Sequence, residues 1–322
     1  MRARALLAPL TPLYRLGLAL RERRLASGRE RIRRLRLPVI SIGNLSTGGS
    51  GKTPLAIALA RALVARGVVV DVLSRGYGRS SREAARVDPA GSVEDYGDEP
   101  LLIARSACVP VYVAPQRYAA GVFAESELVT SSPAIHVLDD GFQHRQLHRE
   151  LDVLLLSRAD LADRLLPAGN LREPLSAMLR ASVLAIPAED GAIESDLRAS
   201  GWQGPLWRLR RRMEIPPLDG SILAFCGIAR PAQFFAGLES AGVRMAARRV
   251  FRDHHRYTQA DLDRLATQAR AAGATALLTT EKDAVRLEGL HLPMPILTAS
   301  LRTEIEGEPA AIDWLLARVG RG

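Results

Sequence analysis

Residues 43–54, GNLSTGGSGKTP, combine small residues with one lysine and one threonine. Between a strand and a helix, such a loop binds phosphate through backbone N–H groups, while its lysine reaches the β and γ phosphates and its hydroxyl ligates Mg²⁺. The pattern G-x-x-x-x-G-K-[ST] is not met in full, because Ser46 replaces its first glycine. We predict a variant phosphate-binding loop, with a chance glycine cluster as the alternative. The predicted nucleotide-binding residues are Ser46, Thr47, Gly48, Gly49, Ser50, Gly51, Lys52 and Thr53.

A second candidate site is IHVLDDGFQH at 135–144, an apolar run that ends in Asp139 and Asp140. In phosphate-loop enzymes a carboxylate at the end of a strand holds Mg²⁺, directly or through water. Gln143 and His144 follow at the same edge and favour this interpretation over a merely solvated turn. The carboxylate that would hold Mg²⁺ is therefore one of this pair, Asp139 or Asp140.

Three further segments carry polar groups suited to phosphoryl transfer. In YGDEP at 96–100, Asp98 or Glu99 either caps a helix or accepts a proton from an attacking hydroxyl. In RDHHRYT, His254 or His255 could orient such a carboxylate across a cleft. In LREP, Arg172 could neutralise phosphate charge, and Glu173 beside it could act as a hard metal ligand.

Composition limits the class of protein. The 322 residues are 47% hydrophobic and 25% charged, as in a globular protein rather than a disordered or multi-span one. A net charge of +9 favours anionic partners. Only Lys52 and Lys282 among the 44 basic residues are lysines, which marks Lys52 as a position that needs a compact ammonium. The two cysteines lack metal-ligand spacing and indicate a reducing compartment.

The elements that position these residues alternate between strands and helices. Continuously apolar runs at 38–42, 68–73, 109–114, 134–139, 152–157 and 182–187 predict buried parallel strands, and 54–67 predicts a helix. Charge and proline at 206–220 predict a connection, after which the alternation resumes. We expect an α/β protein with a parallel-sheet nucleotide-binding and catalytic domain at 38–210. A smaller α/β domain at 211–322 would close over the cleft.

The first 37 residues are rich in arginine and leucine. Pro9, Pro12 and Arg15 interrupt the apolar run, so a membrane span is not predicted. A basic amphipathic helix lying on an anionic membrane surface is the preferred interpretation of 1–37. A helix packed on the protein's own core is the alternative, and the lack of interleaved aromatic residues argues against nucleic-acid binding.

The motifs together resemble the tetraacyldisaccharide 4'-kinases, the lipid A 4'-kinase family of Gram-negative bacteria. Those that carry the resemblance are GNLSTGGSGKTP, LSRGYGR, YGDEP, APQR, LDDGFQH, LLPAGNLREP, FRDHHRYT and LTTEKDAVRL, in order from residue 43 to 287. The resemblance implies transfer of the ATP γ-phosphate to the 4'-hydroxyl of an acylated glucosamine disaccharide 1-phosphate. It places the protein at the cytoplasmic face of the inner membrane, peripheral or monotopic, with no obligate protein partner.

The resemblance also assigns roles to individual residues. It makes Asp98 and His254 the catalytic pair, and it gives the handling of Mg²⁺ to Thr53, Asp139 and Glu173. Other expected active-site residues are Asp140, Gln143, His144, Arg172, Arg75 and Arg117. A regulatory ATPase of the deviant Walker type is the rival, but Thr47 stands where its signature lysine would be.

Overall fold

The strands of the structure follow the apolar runs of the sequence. The computed structural model describes residues 7–49, 51–129 and 132–320. Its strands are β1 (Val39–Asn44), β2 (Val69–Ser74), β3 (Ala85–Arg86), β4 (Val111–Val113), β5 (Ala134–Asp139), β6 (Leu151–Leu155), β7 (Val183–Pro187), β8 (Leu206–Glu214), β9 (Ile222–Cys226), β10 (Met245–Val250), β11 (Ala276–Thr280) and β12 (Ile296–Ile305). The six strands predicted before residue 190 are all confirmed.

Within the described residues these strands form one sheet of twelve, in the order β10, β9, β11, β12, β8, β7, β6, β1, β5, β2, β4, β3. Neighbours run parallel except for β8 with β12 and β3 with β4. In the register of β1 and β5, Ile42 lies opposite Asp139. The glycine loop after β1 and the paired aspartates after β5 therefore meet at one edge of the sheet, where open parallel sheets bind ligands.

Helices cover both faces of this sheet. They are α1 (Thr11–Ala26), α2 (Lys52–Val64), α3 (Val93–Tyr96), α4 (Asp98–Ala107), α5 (Arg117–Glu127), α6 (Arg158–Leu161), α7 (Gly191–Ala199), α8 (Pro231–Ser240), α9 (Gln259–Ala271), α10 (Glu281–Ala284) and α11 (Glu308–Val319). Leu55, Leu59 and Leu63 of α2 are fully buried against Ile40 of β1. This apolar face fixes α2, and with it the glycine loop, on the sheet.

Strand β8 lies where a connection is predicted. Buried Trp207 and Leu209 alternate with exposed Arg208 and Arg210. This is the pattern of a strand with one buried and one solvent-exposed face, and the arginines on the exposed face give the segment its charge. The first part of β8 pairs with β7 and the rest pairs with β12. The predicted boundary between 38–210 and 211–322 falls inside this strand, and the sheet continues across it. The division into two domains stays a prediction.

A helix is present in the N-terminal segment, but its predicted amphipathic character is not confirmed. Tyr14 and Leu18 pack against the core of the sheet, and the Tyr14 hydroxyl donates to the carbonyl of Arg172 at 2.8 Å. Residues 1–6 lie outside the described residues. Among the described helices, none is long and apolar enough to cross a membrane. Leucines on other sides of the helix are exposed, namely Leu13, Leu16 and Leu20.

Candidate active site

The glycine loop joins β1 to α2 in the predicted manner. Gly48 and Gly51 have φ angles of 97° and 89°, which favour glycine because a side chain would be strained there. Lys52 and Thr53 begin α2, so the positive end of that helix points into the loop. Ser46 is buried and receives hydrogen bonds from the Asn44 amide at 3.1 Å on Oγ and 2.8 Å on its carbonyl. The serine thus shapes the turn.

Asn44, which the sequence reasoning missed, lies at the centre of this edge. It is the last residue of β1 and is fully buried. Its Oδ1 accepts from Lys52 Nζ at 2.9 Å and from Arg172 Nη2 at 2.6 Å. A fully polar side chain at the end of an apolar strand, just before the glycines, was the signal that could have found it. Asn44 holds the two cations at the mouth of the loop.

Asp139 and Asp140 lie in contrasting electrostatic surroundings. Burial raises the pKa of Asp139 well above its usual range, with the charges of Glu99 and Asp140 acting in the same direction. Burial also acts to raise the pKa of Asp140, but Lys52 and Arg172 override it and lower that pKa to about 2. Asp140 contacts Lys52 Nζ at 3.5 Å and Arg172 Nη2 at 2.9 Å. Asp140 is therefore a charged anchor, while Asp139 gains from a bound cation.

The segment 170–173 runs alongside the glycine loop. The Thr47 N–H donates to the Asn170 carbonyl at 2.8 Å, and the Arg172 N–H donates to the Leu45 carbonyl at 2.7 Å. The next residue, Glu173, is buried and accepts from Arg180 Nη2 at 2.7 Å on one oxygen. These backbone bonds bring LREP, distant in sequence, to the phosphate-binding edge.

The residues predicted for Mg²⁺ fit that ion. Asp139 Oδ1 and Glu173 Oε1 are buried without a hydrogen-bond partner in the protein, so each has a lone pair to offer. No group of three or more carboxylate, histidine or cysteine side chains that could hold a metal occurs among the described residues. Mg²⁺ binds commonly through one or two carboxylates together with water and substrate phosphates, which matches this sparse donor set.

The other predicted residues surround the same edge. Gln143 Nε2 donates to the Asn44 carbonyl at 3.0 Å. Burial and the charges of nearby arginines, Arg117 first, together lower the pKa of His144 to about 4, so this imidazole is neutral at neutral pH. Arg117 is buried at the start of α5 near Asp140, whereas Arg75 is exposed after β2. Ser50 lies outside the described residues.

The predicted catalytic pair meets although its members are 156 positions apart. Asp98 is the first residue of α4 and only 4% exposed. His254 follows β10 in a loop, with a φ of 58° that is rare for a residue other than glycine. Its Nδ1 lies 3.0 Å from Asp98 Oδ2. His255 instead stacks on Phe251 and bonds Asp261, so the structure selects His254 as the histidine of the cleft.

Arg286 also binds Asp98, and the sequence reasoning missed it. Its Nε donates to Asp98 Oδ2 at 2.9 Å, with a second contact from Nη2, and Nη1 donates to Asp283 Oδ1 at 3.0 Å. Burial acts to raise the pKa of Asp98, but the His254 hydrogen bond and the charges of Lys282 and Arg286 hold it well below its usual range. Asp98 is therefore a charged carboxylate at neutral pH.

A cavity opens beside this pair. Its volume is about 620 Å³, and its lining includes Asp98, His254, Tyr77, Arg256 and Arg286. The Tyr77 ring lies 5.7 Å from the His254 ring, centre to centre, on the cavity wall. Clefts of this size hold small molecules or sugar units. The Asp98 carboxylate therefore lies at the wall of a cavity of this size.

The comparisons with known proteins decide the family. The family model described as "Tetraacyldisaccharide-1-P 4'-kinase" matches residues 3–320. The chain belongs to this family. A "Tetraacyldisaccharide 4'-kinase" of Koribacter versatilis is 41% identical over 97% of this chain and 98% of its own length. One of Geobacter metallireducens is 40% identical over 98% of both chains.

A solved structure agrees with the family. Crystalline LpxK of Aquifex aeolicus in complex with ATP superposes with a TM-score of 0.77 and 32% identity, covering 98% of this chain and 99% of that one. The family resemblance inferred from the motifs is thereby confirmed, and so is the mixed α/β fold with its large, mostly parallel sheet.

Proposed function

We propose that this family member transfers the γ-phosphate of ATP to the 4'-hydroxyl of a tetraacyldisaccharide 1-phosphate in lipid A biosynthesis. The kinase activity follows from membership of the family. The roles of the residues are our assignment. The observation that carries it is the 3.0 Å contact between Asp98 and His254 beside the cavity, on the same molecule as the glycine loop that joins β1 to α2.

The loop edge binds the triphosphate. The backbone N–H groups of Gly48, Gly49 and Gly51 and the start of α2 would bind the phosphate oxygens, as in other loops of this kind. Lys52 and Arg172 are held in place by contacts with Asn44 and Asp140. Charges that are already positioned need no reorganisation as negative charge moves between the phosphates.

Thr53, Asp139 and Glu173 would hold Mg²⁺ at this edge. When bound, the ion neutralises the β and γ oxygens and helps to orient the terminal phosphate. The buried oxygens without partners on Asp139 and Glu173 support this assignment. Arg180, which pairs with the other oxygen of Glu173 at 2.7 Å, fixes the carboxylate in one orientation.

The Asp98–His254 pair receives the proton of the 4'-hydroxyl. The transition state of phosphoryl transfer is loose, so the attacking oxygen needs alignment and a proton acceptor more than a strong base. Asp98 is charged at neutral pH and is oriented by His254 and Arg286. We place the acceptor sugar in the cavity of about 620 Å³, whose lining includes Asp98.

The acylated end of the acceptor stays in the lipid bilayer, at the cytoplasmic face of the inner membrane. Helix α1 presents exposed Leu13, Leu16 and Leu20 to solvent and carries arginines, a composition that suits a surface-bound helix. This peripheral attachment keeps the cavity near its lipid substrate. No nucleic acid and no obligate protein partner enter the proposal.

The test follows the labelled phosphate. Incubation with γ-labelled ATP, Mg²⁺ and a tetraacyldisaccharide 1-phosphate should place label in a chloroform-soluble product. Replacement of Asp98 by Asn should lower kcat by about 10²–10⁴, as loss of a general base does, with the Kd for ATP nearly unchanged. Asp263→Asn, at an exposed aspartate of α9, is the matched control and should retain full turnover.

Two results would contradict the proposal. Label released only as free phosphate would favour the regulatory ATPase. Turnover of Asp98→Asn close to that of the unaltered protein would remove Asp98 from the chemistry, although the kinase activity itself could then persist through another acceptor of the proton.

A further inference from the structure

Lys282 is one of the few lysines in the chain, and it contacts His254 beside the cavity. It is one of two lysines among 44 basic residues, and the other belongs to the phosphate-binding loop. It lies in the short helix α10, which Thr280 caps by accepting from the Asp283 N–H. Its Nζ lies 2.9 Å from Glu99 Oε1 and 3.4 Å from His254 Nε2. Lys282 thus contacts the catalytic histidine on the side away from Asp98.

The two neighbours of His254 make different demands on its ring. The Asp98 carboxylate only accepts, so Nδ1 must carry a proton to bond it. The Lys282 ammonium only donates, so Nε2 must present a lone pair to bond it. Both demands are met by one state of the ring, the neutral imidazole protonated on Nδ1. A carboxylate alone would accept equally well from the doubly protonated cation.

We propose that Lys282, anchored by Glu99, is a positioning residue that keeps His254 in its neutral, Nδ1-protonated form. The reason for such a device lies in the crowding of positive charge around Asp98. Arg286 already pairs with this carboxylate. A cationic imidazole would add a second ion pair to the same oxygen and make it a poorer acceptor for the 4'-hydroxyl proton. A neutral imidazole orients the carboxylate by one hydrogen bond.

Asp253 and Tyr77 also lie close to the His254 ring and influence where its proton sits. Asp253 Oδ1 lies 3.9 Å from Nε2 and acts in the opposite direction, because a carboxylate there favours a proton on Nε2. Tyr77 covers part of the ring. Lys282 Nζ is closer to Nε2 than Asp253 is, and its own charge is secured by Glu99, whose Oε1 it contacts at 2.9 Å. The lysine therefore determines which group Nε2 bonds.

An arginine would not serve equally well at this position. Lysine ends in one nitrogen with freely rotating donors, which can bond Glu99 and His254 at a single point. A guanidinium spreads its charge over a planar fork and sits farther from the backbone. The need for one compact donor between two acceptors gives a physical reason for a lysine in a chain that otherwise uses arginine.

The decisive experiment observes the ring directly. The full-length protein, labelled with ¹⁵N in histidine, gives long-range ¹H–¹⁵N correlations that distinguish the protonated from the bare nitrogen, and the spectrum of His254→Gln identifies the signals of His254. At neutral pH we expect a protonated Nδ1, which bonds Asp98, and a bare Nε2, which accepts from Lys282. In Lys282→Met, Nε2 should gain a proton at the same pH.

Kinetics provide the second readout. Lys282→Met should lower kcat about 10- to 100-fold, the scale of a misplaced catalytic group, with KM for ATP nearly unchanged. Lys282→Arg keeps the charge and should recover part of this loss. Glu99→Gln leaves the lysine but loosens its anchor, and should shift the histidine signals in the same direction by a smaller amount. Arg264→Met removes an exposed cation in the same part of the chain and is the matched control.

The inference rests on the proposed function of the Asp98–His254 pair, but it can fail separately. An unchanged ring in both Lys282→Met and Glu99→Gln would overturn the role of Lys282 while leaving that pair intact. Full turnover of Lys282→Met with an altered ring would also overturn it, since the form of the ring would then have no catalytic consequence. Full turnover of Asp98→Asn would refute the pair itself, whatever the lysine does.

Discussion

Replacement of Arg286 by methionine tests the buried ion pair between Arg286 and Asp98. The side chains of Arg286 and Asp98 are 4% and 5% exposed, and Asp283, the second partner, is fully buried. Arg286 also donates to the Gly227 carbonyl at 3.0 Å. Methionine keeps the stem but removes every donor. In the variant, the buried carboxylates of Asp98 and Asp283 and the carbonyl of Gly227 each lose a hydrogen-bond donor.

The size of the effect follows from these contacts. Removing one partner of a buried ion pair costs about 3–5 kcal/mol of unfolding free energy. Asp98 retains His254, and Asp283 retains the Gly227 N–H and the Tyr257 hydroxyl. We therefore expect the lower end of that range, about 3 kcal/mol. With an m-value of about 3 kcal/mol/M, the urea midpoint should fall by about 1 M.

Urea titrations followed by circular dichroism measure the midpoint, with Arg66→Met as the matched control. Arg66 pairs with Asp313 on the surface, where one ion pair contributes about 0–1 kcal/mol. The loss should also depend on pH. The pKa of Asp98 lies below its ordinary value of 3.8, so its pairing stabilises the fold above that value and is lost as the pH falls towards the lowered pKa. The difference between the variants should shrink below about pH 4.

An Arg286→Met midpoint equal to that of Arg66→Met would refute the reasoning. It would mean that Asp98 is not held as a buried charge by this arginine. A loss that stays constant down to about pH 3 would show that the missing packing of the side chain, and not the unpaired carboxylate, causes the destabilisation.

Two further predictions concern the loop and helix α1. Gly51→Ala should weaken ATP binding, measured by calorimetry, at least about tenfold. The strain at a φ of 89° and a Cβ placed 2.8 Å from Arg211 Nη2 would both distort the loop. The control Gly67→Ala, at a φ of 75° with open space around its Cβ, should show no such loss. Replacing the exposed leucines of α1, Leu13, Leu16 and Leu20, by serine should reduce sedimentation with anionic vesicles. The urea midpoint should stay within about 0.3 M of its original value. Vesicle binding equal to that of the control Leu292→Ser would contradict a membrane role for α1.

Local patterns in the chain predicted much of the fold and the loop. Apolar runs of five or six residues predicted strands because such runs can be buried on both faces of a parallel sheet. Strand β8 was not predicted, because the arginines on its solvent face made the segment read as a charged connection and obscured the buried positions Trp207 and Leu209. The register that sets Ile42 beside Asp139 explains why the motifs after β1 and β5 lie at one edge of the sheet.

The sequence alone determined which residue types stand at strand ends and helix starts, and so it supplied Lys52, Asp98, Asp139 and His254 as candidates. Tertiary structure decided which distant groups complete them. Asn44, Arg286 and the contact of Lys282 with His254 depend on the order of twelve strands, because that order brings α10 against the start of α4. Local composition sets local geometry, whereas a contact between residues 98 and 286 exists only once the whole sheet has formed.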